Sequence, residues 1–429
     1  MYLKRLELTN YRNYTRLEIV LPARINVFQG ENAQGKTNLL EAIYYLATTR
    51  SPIAATDRQL IAWTAENEMI PYARLEGVYD RGGEEHTLEM TLVKEQQPNG
   101  SPEQGSLRRQ VRLDGSPRRA LDIVGRLNVV LFLPENLALV GGAPGERRHY
   151  LDVTLCQIDP LYCQALSRYN RVITQRNALL HQIRDRRARS AELGYWDEQL
   201  AHLGAQVLAR RLWAVGELNR HVAELHPALT GGEEFLTLSY VNSAVRSRAP
   251  GGSANTGGGD SLEIPPLQES LQRALEAARS EEIARGVTIV GPHRDDMRLL
   301  ANAMDVTTYG SRGQQRTVAL ALKLAEVALM RDRAGEMPIL LLDDALSELD
   351  QRRSRYLMQA ISRAQQVLIT TTDLARYERE FLDTVVLWQV VAGAISPLTR
   401  RADPGSPKGA ALAGQGEALP PGHPPESLQ

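Results

Sequence analysis

Cysteine is nearly absent. The 429 residues hold 2, Cys156 and Cys163, too few for a disulfide framework or a cysteine-based zinc site. Seven apart in a stretch of helical texture, they read as two small core residues on one helix face. Lysine is scarce too. Lys4, Lys36, Lys94, Lys323 and Lys408 leave arginine to supply 45 of the 50 basic residues. Charge of one sign is not in excess: 50 basic and 51 acidic residues give a net charge of −1. That excludes a uniformly basic nucleic-acid binder but not a local basic patch. Long apolar runs are missing. Val129 to Leu133 and Ile339 to Leu342 fall far short of the roughly 18 residues of a membrane span, so no membrane association is expected. Met1 to Arg5 leads into alternating residues without an apolar signal-peptide core, and the chain is expected to be cytoplasmic.

What is present is an ordinary globular composition, 43% apolar and 24% charged, which excludes wholesale disorder. The length predicts a large domain with a second one inserted or appended. Leu3 to Leu21 alternates as two short strands around Asn10 to Tyr14. Ile25 to Phe28 is a further strand. Asn38 to Thr48 has helical spacing, with Leu39, Leu40, Ile43, Leu46 and Ala47 on one face. Ala73 to Val78, Thr87 to Val93 and Leu127 to Leu133 read as strands. Two long helical patterns follow at 146–189 and 194–229, and mixed strand and helix texture returns from Val287. The expected division is a first α/β lobe at 1–150 and a mostly helical arm at 151–286, with a flexible loop near 247–266. A second lobe follows at 287–400, then a disordered tail at 401–429.

Gly30-Glu31-Asn32-Ala33-Gln34-Gly35-Lys36-Thr37 fits the pattern G-x-x-x-x-G-K-[ST], with a strand before it and a helix after it. Such glycines let backbone N–H groups turn inward on phosphates, and the helix N-terminus adds positive potential. Lys36 is placed to reach the β- and γ-phosphates and the Thr37 hydroxyl to ligate Mg²⁺, so ATP and Mg²⁺ are the expected cofactors. Pro338 to Leu342 is an apolar strand ending in Asp343 and Asp344. Asp343 is expected to hold Mg²⁺ through water and Asp344 to polarise the attacking water. Helix N-capping by Asp344 is the plainer alternative.

Ser311-Arg312-Gly313-Gln314-Gln315-Arg316 precedes an apolar-striped helix, Thr317 to Met330. Taken alone, Ser311 is most simply an N-cap. Ahead of the strand with two carboxylates it resembles the signature element of the ABC ATPase superfamily. That resemblance implies that the Ser311 hydroxyl and the Gly313 amide, with Gln314 beside them, meet the γ-phosphate of a nucleotide held by the opposite protomer.

Further blocks narrow the family. Asn10 to Tyr14, Leu131 to Leu137, Val140 to Asp152, Gln175 to Leu180, Gly291 to Asp296 and Leu341 to Asp350 together resemble the RecF family of bacterial DNA-repair ATPases. The resemblance implies an α/β fold, an ABC/SMC-type P-loop ATPase head interrupted by a helical arm, and brings Arg12 and Asn13 to the nucleotide. It also implies an ATP-dependent homodimer that binds duplex or gapped DNA, hydrolysis that releases it, and RecR and RecO as partners in loading recombinase at gaps. The rivals are a chromosome-organising SMC-like structural ATPase and a transporter ATPase subunit. The arm lacks the sustained heptads of the first. Gln366 to Ile369 runs into Thr370-Thr371-Thr372-Asp373 where the second has a histidine, leaving Thr372 or Asp373 for that sensor role. Asn136 departs from the family, which tends to have aspartate there.

Two constellations stay open. Arg168 to Arg189 holds 7 Arg and one Asp; Arg184, Arg186 and Arg187 are candidates for DNA-phosphate contact, against a solvated helical face. His293, beside Arg294, Asp295 and Asp296, reads as a general base or metal ligand or as part of a structural turn, with no further ligand at metal spacing.

Overall fold

Alternation in the first hundred residues and continuous apolar runs near the C-terminus make two different sheets. The computed structural model describes residues 1–95, 106–244, 263–347 and 349–398. Most of the loop expected near 247–266, and the tail at 401–429, lie outside them. The first half contains β1 (Tyr2–Tyr11), β2 (Tyr14–Val20), β3 (Ile25–Gln29), α1 (Lys36–Thr48), β4 (Tyr72–Arg81), β5 (Glu84–Glu95), β6 (Ser106–Leu113), β7 (Ser116–Arg118), β8 (Val129–Phe132), α2 (Pro144–Ile158), α3 (Pro160–Arg184) and α4 (Leu193–Thr230). Then come β9 (Leu236–Val241), α5 (Ile264–Arg285), β10 (Asp296–Ala301), β11 (Met304–Asp305), α6 (Arg312–Ala334), β12 (Ile339–Asp343), α7 (Gln351–Ile361), β13 (Val367–Thr371), β14 (Val386–Val391) and β15 (Ala394–Pro397).

The antiparallel sheet runs β2-β1-β4-β5-β6-β7. A register shift between Leu3 and Arg5 in β1 lets Leu3, Leu6 and Leu8 all face inward despite their uneven spacing. The second large sheet runs β15-β14-β3-β13-β12-β8, and every pairing but that of β15 is parallel. Every residue of β12 and β13 is buried, as a parallel sheet covered on both faces requires. Helix α1 lies between the sheets, sharing one core with Leu6 and Leu75 on one side and Leu341 and Leu368 on the other. Parallel register aligns Asp343 with Thr370 and Thr371 with Gln29. The carboxyl ends of β3, β12 and β13 therefore meet at one edge, where open α/β sheets bind ligands.

The arm has its own core, with Tyr162 and Tyr169 of α3, Leu200 and Ala205 of α4 and Leu271 and Leu275 of α5. The later half of α4, from Leu208 to Leu229, instead shares a core with Val318, Leu322 and Leu329 of α6. Helix α4 thus serves both as arm and as the backing of α6.

The pattern expected as one helix at 146–189 is divided in two and stops early. Pro160 needs no hydrogen-bond partner at the first position of a helix, and the Asp159 carboxylate caps that helix by accepting from the N–H groups of Leu161 and Tyr162 at 3.0 and 3.2 Å. Cys156 and Cys163 consequently sit on α2 and α3 rather than on one helix face, as free thiols. Helix α3 ends at Arg184, and Arg186 has φ +59°.

Candidate nucleotide-binding site

The P-loop is held open by its neighbours. Gly30 follows β3 and donates its N–H to Thr371 O at 3.2 Å; a Cβ there would lie 2.5 Å from Val390 O. Gly35 starts α1 at φ +112°, and a Cβ would meet the Asn13 amide at 2.5 Å, so both positions require glycine. Asn13 donates to Gln34 O at 3.0 Å and accepts from Asn38 at 2.8 Å. The Gln34 side-chain oxygen accepts from the Ala392 N–H at 2.6 Å, and its backbone oxygen from the Gly393 N–H at 3.0 Å. Asn13 and Gln34 therefore spend these polar atoms shaping the loop. Ala33, at φ +64°, completes its turn. Tyr14 donates to Gly35 O at 2.9 Å.

Lys36 is 7% exposed and lies under the loop, donating to Gly30 O and Glu31 O at 2.7 Å each. Burial lowers its pKa, opposed by Asp343 and Asp344. An ammonium has three donors, so one remains for a phosphate oxygen. The Thr37 hydroxyl donates to Asp343 Oδ2 at 2.7 Å, joining residues 306 apart in the chain. Thr370 donates to the other carboxylate oxygen of Asp343 at 2.5 Å and accepts from the Asp344 N–H at 3.1 Å. Sequence reasoning missed Thr370; its register opposite Asp343 on the neighbouring strand is the signal. Asp344 has φ +45°, a left-handed conformation that aspartate tolerates better than most residues. It caps no helix: the N-cap of α7 is Asp350, which accepts from the Arg353 N–H at 2.9 Å.

Of the two sensor candidates, Asp373 caps the short turn Leu374–Arg376 through the Ala375 N–H, and Thr372 is exposed. Arg12, at φ +53°, makes a two-bond ion pair of 2.7 Å with buried Glu41 on α1. Asn136 folds back to accept from the Leu133 N–H at 2.7 Å. Asp344 lines a cavity of about 70 Å³ together with Asn136, Arg316, Lys323 and Ala345 among others. It is too small for a nucleotide; Glu31 and Asn32 are exposed on the P-loop.

Ser311 and Gly313 belong to no hydrogen bond with this cradle. They are exposed at the start of α6, where Ser311 caps the helix by accepting from the Gln314 N–H at 3.2 Å, and Gln314 returns a bond to the Ser311 N–H at 3.0 Å.

His293 is structural. Its ring nitrogens meet the Tyr169 hydroxyl at 2.8 Å and Thr288 O at 3.1 Å, and burial pushes its pKa down to about 4. Among the described residues no group of His, Cys, Asp and Glu could hold a metal ion by itself. The turn is tied to the start of α2 by Arg147, bonded to both oxygens of Asp296 at 2.7 and 3.0 Å.

The basic run is heterogeneous. Arg176 is fully buried, bonded to Asp197 at 2.8 Å and Glu282 at 2.6 Å. Arg184, Arg186 and Arg187 are exposed at the turn that ends α3.

The family model described as the RecF/RecN/SMC N terminal domain matches residues 2–390. The DNA replication and repair protein RecF of Chloroflexus aurantiacus is 44% identical over 402 residues, covering 92% of this chain and 99% of that one. The chain belongs to the RecF family. RecF of Bacillus subtilis is 38% identical over 396 residues, covering 92% of this chain and all of its own. A solved structure described as the recombination mediator protein RecF-ATP in the RecFOR pathway matches with a TM-score of 0.79 at 29% identity. It covers 93% of this chain and 98% of that one. The α/β architecture is thus the ABC/SMC-type head of the RecF family with its helical arm.

Proposed function

We propose that the chain is an ATP-switched DNA-binding protein of replication and repair, acting in the cytoplasm. The observation that carries this reading is the 2.7 Å contact between Thr37 and Asp343. A hydroxyl and a carboxylate at the end of a P-loop are the kind of protein oxygens Mg²⁺ takes beside phosphates and water. Thr37 and Asp343 would hold Mg²⁺, which when bound neutralises charge on the β- and γ-phosphate oxygens. Lys36 and the amides of 30–37 would bind those phosphates. Asp344 would accept a proton from the attacking water. Ser311 and Gly313 of a second copy would close over the γ-phosphate, so that ATP joins two heads, the pair binds DNA, and hydrolysis releases it.

The RecFOR pathway in the name of the solved neighbour supports RecR and RecO as partners, and recombinase loading at gaps is the outcome that the family resemblance implies. The deciding experiment is sedimentation with ATP, ADP or no nucleotide, each with and without duplex and gapped DNA. A dimer that needs ATP and retains DNA is expected; a monomer under all conditions sinks the switch. Uniform coating of long duplex with no preference for gaps favours the chromosome-organising rival.

A further inference from the structure

The signature segment is wired to the arm. Gln314 donates its side-chain N–H to Glu234 Oε1 at 2.7 Å, while its own carbonyl oxygen accepts the Ser311 N–H. The second oxygen of Glu234 lies 3.3 Å from Nε2 of His226, a fully buried residue in the last turns of α4. Burial lowers the pKa of His226, opposed by Glu234.

Glu234 has little freedom. Its N–H is bonded to the Thr230 hydroxyl at 3.3 Å, and that hydroxyl donates to His226 O at 3.0 Å. On the other side, Asn302 accepts from the Phe235 N–H at 3.0 Å and donates to Glu233 O at 3.1 Å. The Gly232 N–H closes back on Pro227 O at 2.8 Å. A segment pinned on both flanks presents one carboxylate to two partners, one on the arm's long helix and one in the signature.

We infer that Glu234 is a positioning residue for the signature: through Gln314 it fixes the first turn of α6, and so the Ser311 hydroxyl and Gly313 amide, in the orientation that meets the second protomer. This inference rests on the composite site proposed above. Sequence alone hides the contact, since Glu234 and Gln314 are 80 residues apart and neither spacing nor texture relates them.

The test is a set of variants read by ATP-dependent dimerisation in sedimentation, with circular dichroism and monomer ATP affinity as controls. Removing a charge-assisted hydrogen bond predicts that Glu234→Ala weakens dimerisation roughly tenfold while monomer ATP affinity stays near wild type. Glu234→Gln keeps an acceptor for Gln314 and should restore dimerisation to within about threefold. Gln314→Glu keeps the capping acceptor but sets two carboxylates face to face, so it should also weaken dimerisation. Combining it with Glu234→Gln should recover the pair, a coupling that independent effects on folding do not produce. This combination carries the test if Glu234→Ala does not fold. Wild-type dimerisation of folded Glu234→Ala, or no recovery in the combined variant, overturns the inference. Ser311→Arg separates the two claims. If it abolishes dimerisation while Glu234→Ala does not, only the positioning role falls; if it dimerises normally, the composite site falls and this inference with it.

Discussion

The nucleotide cradle and the turn that ends α3 both carry basic side chains suited to phosphate, and they hold them in opposite ways. At the cradle a single lysine is buried under a loop, with two backbone acceptors at fixed distances and two carboxylates nearby. At the turn Arg184, Arg186 and Arg187 are exposed, and Arg184 pairs only loosely with its neighbour Asp185, at 3.5 Å. One site is built to hold a charge in one position. The other offers charge to whatever approaches, as binding to a phosphate backbone requires. Substitutions should therefore act steeply at the first and gradually, with salt dependence, at the second.

The largest effect is expected from Lys36→Met. It removes the phosphate point charge while leaving the backbone cradle, and ATP binding should become undetectable in equilibrium titration. Near-normal affinity would detach Lys36 from the site. Next is Asp344→Asn, which leaves the hydrogen bonds of Asp343 with Thr37 and Thr370 intact. ATP should still bind, and turnover should fall by about 10²–10⁴-fold, with a long-lived ATP dimer on DNA. Wild-type turnover would move the proton acceptor elsewhere.

The contrast between the two regions also marks what could be read from the chain. The P-loop and the strand ending in Asp343 were legible because phosphate chemistry imposes a local spacing and a strand–loop–helix context. The antiparallel strands were legible by alternation. The division at Asp159 was not, because apolar periodicity runs through Pro160 and a proline at the first helical position interrupts nothing in the pattern. Thr370 escaped because its bond to Asp343 depends on which strands are neighbours. The arginine run was misleading in part: a count of charge cannot distinguish Arg176, enclosed by Asp197 and Glu282, from arginines eight to eleven positions later that face solvent.

That difference within one run gives the third prediction. Arg176→Met leaves two buried carboxylates short of their cation, although Arg279 still reaches Asp197 at 2.8 Å. The cost should be about 3–5 kcal/mol of stability, measured by urea unfolding. DNA binding of the remaining folded protein should keep its salt dependence. A cost below about 1 kcal/mol would mean that this network is not what joins α3 to α4 and α5.

The smallest and most condition-dependent effect belongs to Arg184, Arg186 and Arg187 reversed together to glutamate. All three are exposed at the end of α3, so the fold should tolerate the change, and the cradle's hydrogen bonds involve none of them. ATP affinity of the free protein should not move. If the three side chains meet phosphates, DNA affinity falls and the slope of log affinity against log salt shrinks by about 0.9 for each phosphate no longer neutralised. The slope is the decisive reading, because reversed charge also repels DNA at a distance, and that repulsion is screened over roughly 10 Å at 0.1 M salt. Neutralising fewer phosphates changes the number of counterions released and persists as a slope difference at higher salt, whereas a field effect fades. Affinities that converge with wild type at high salt and then follow the same slope would therefore leave these arginines as a solvated turn and send the search for the DNA-binding surface elsewhere on the head.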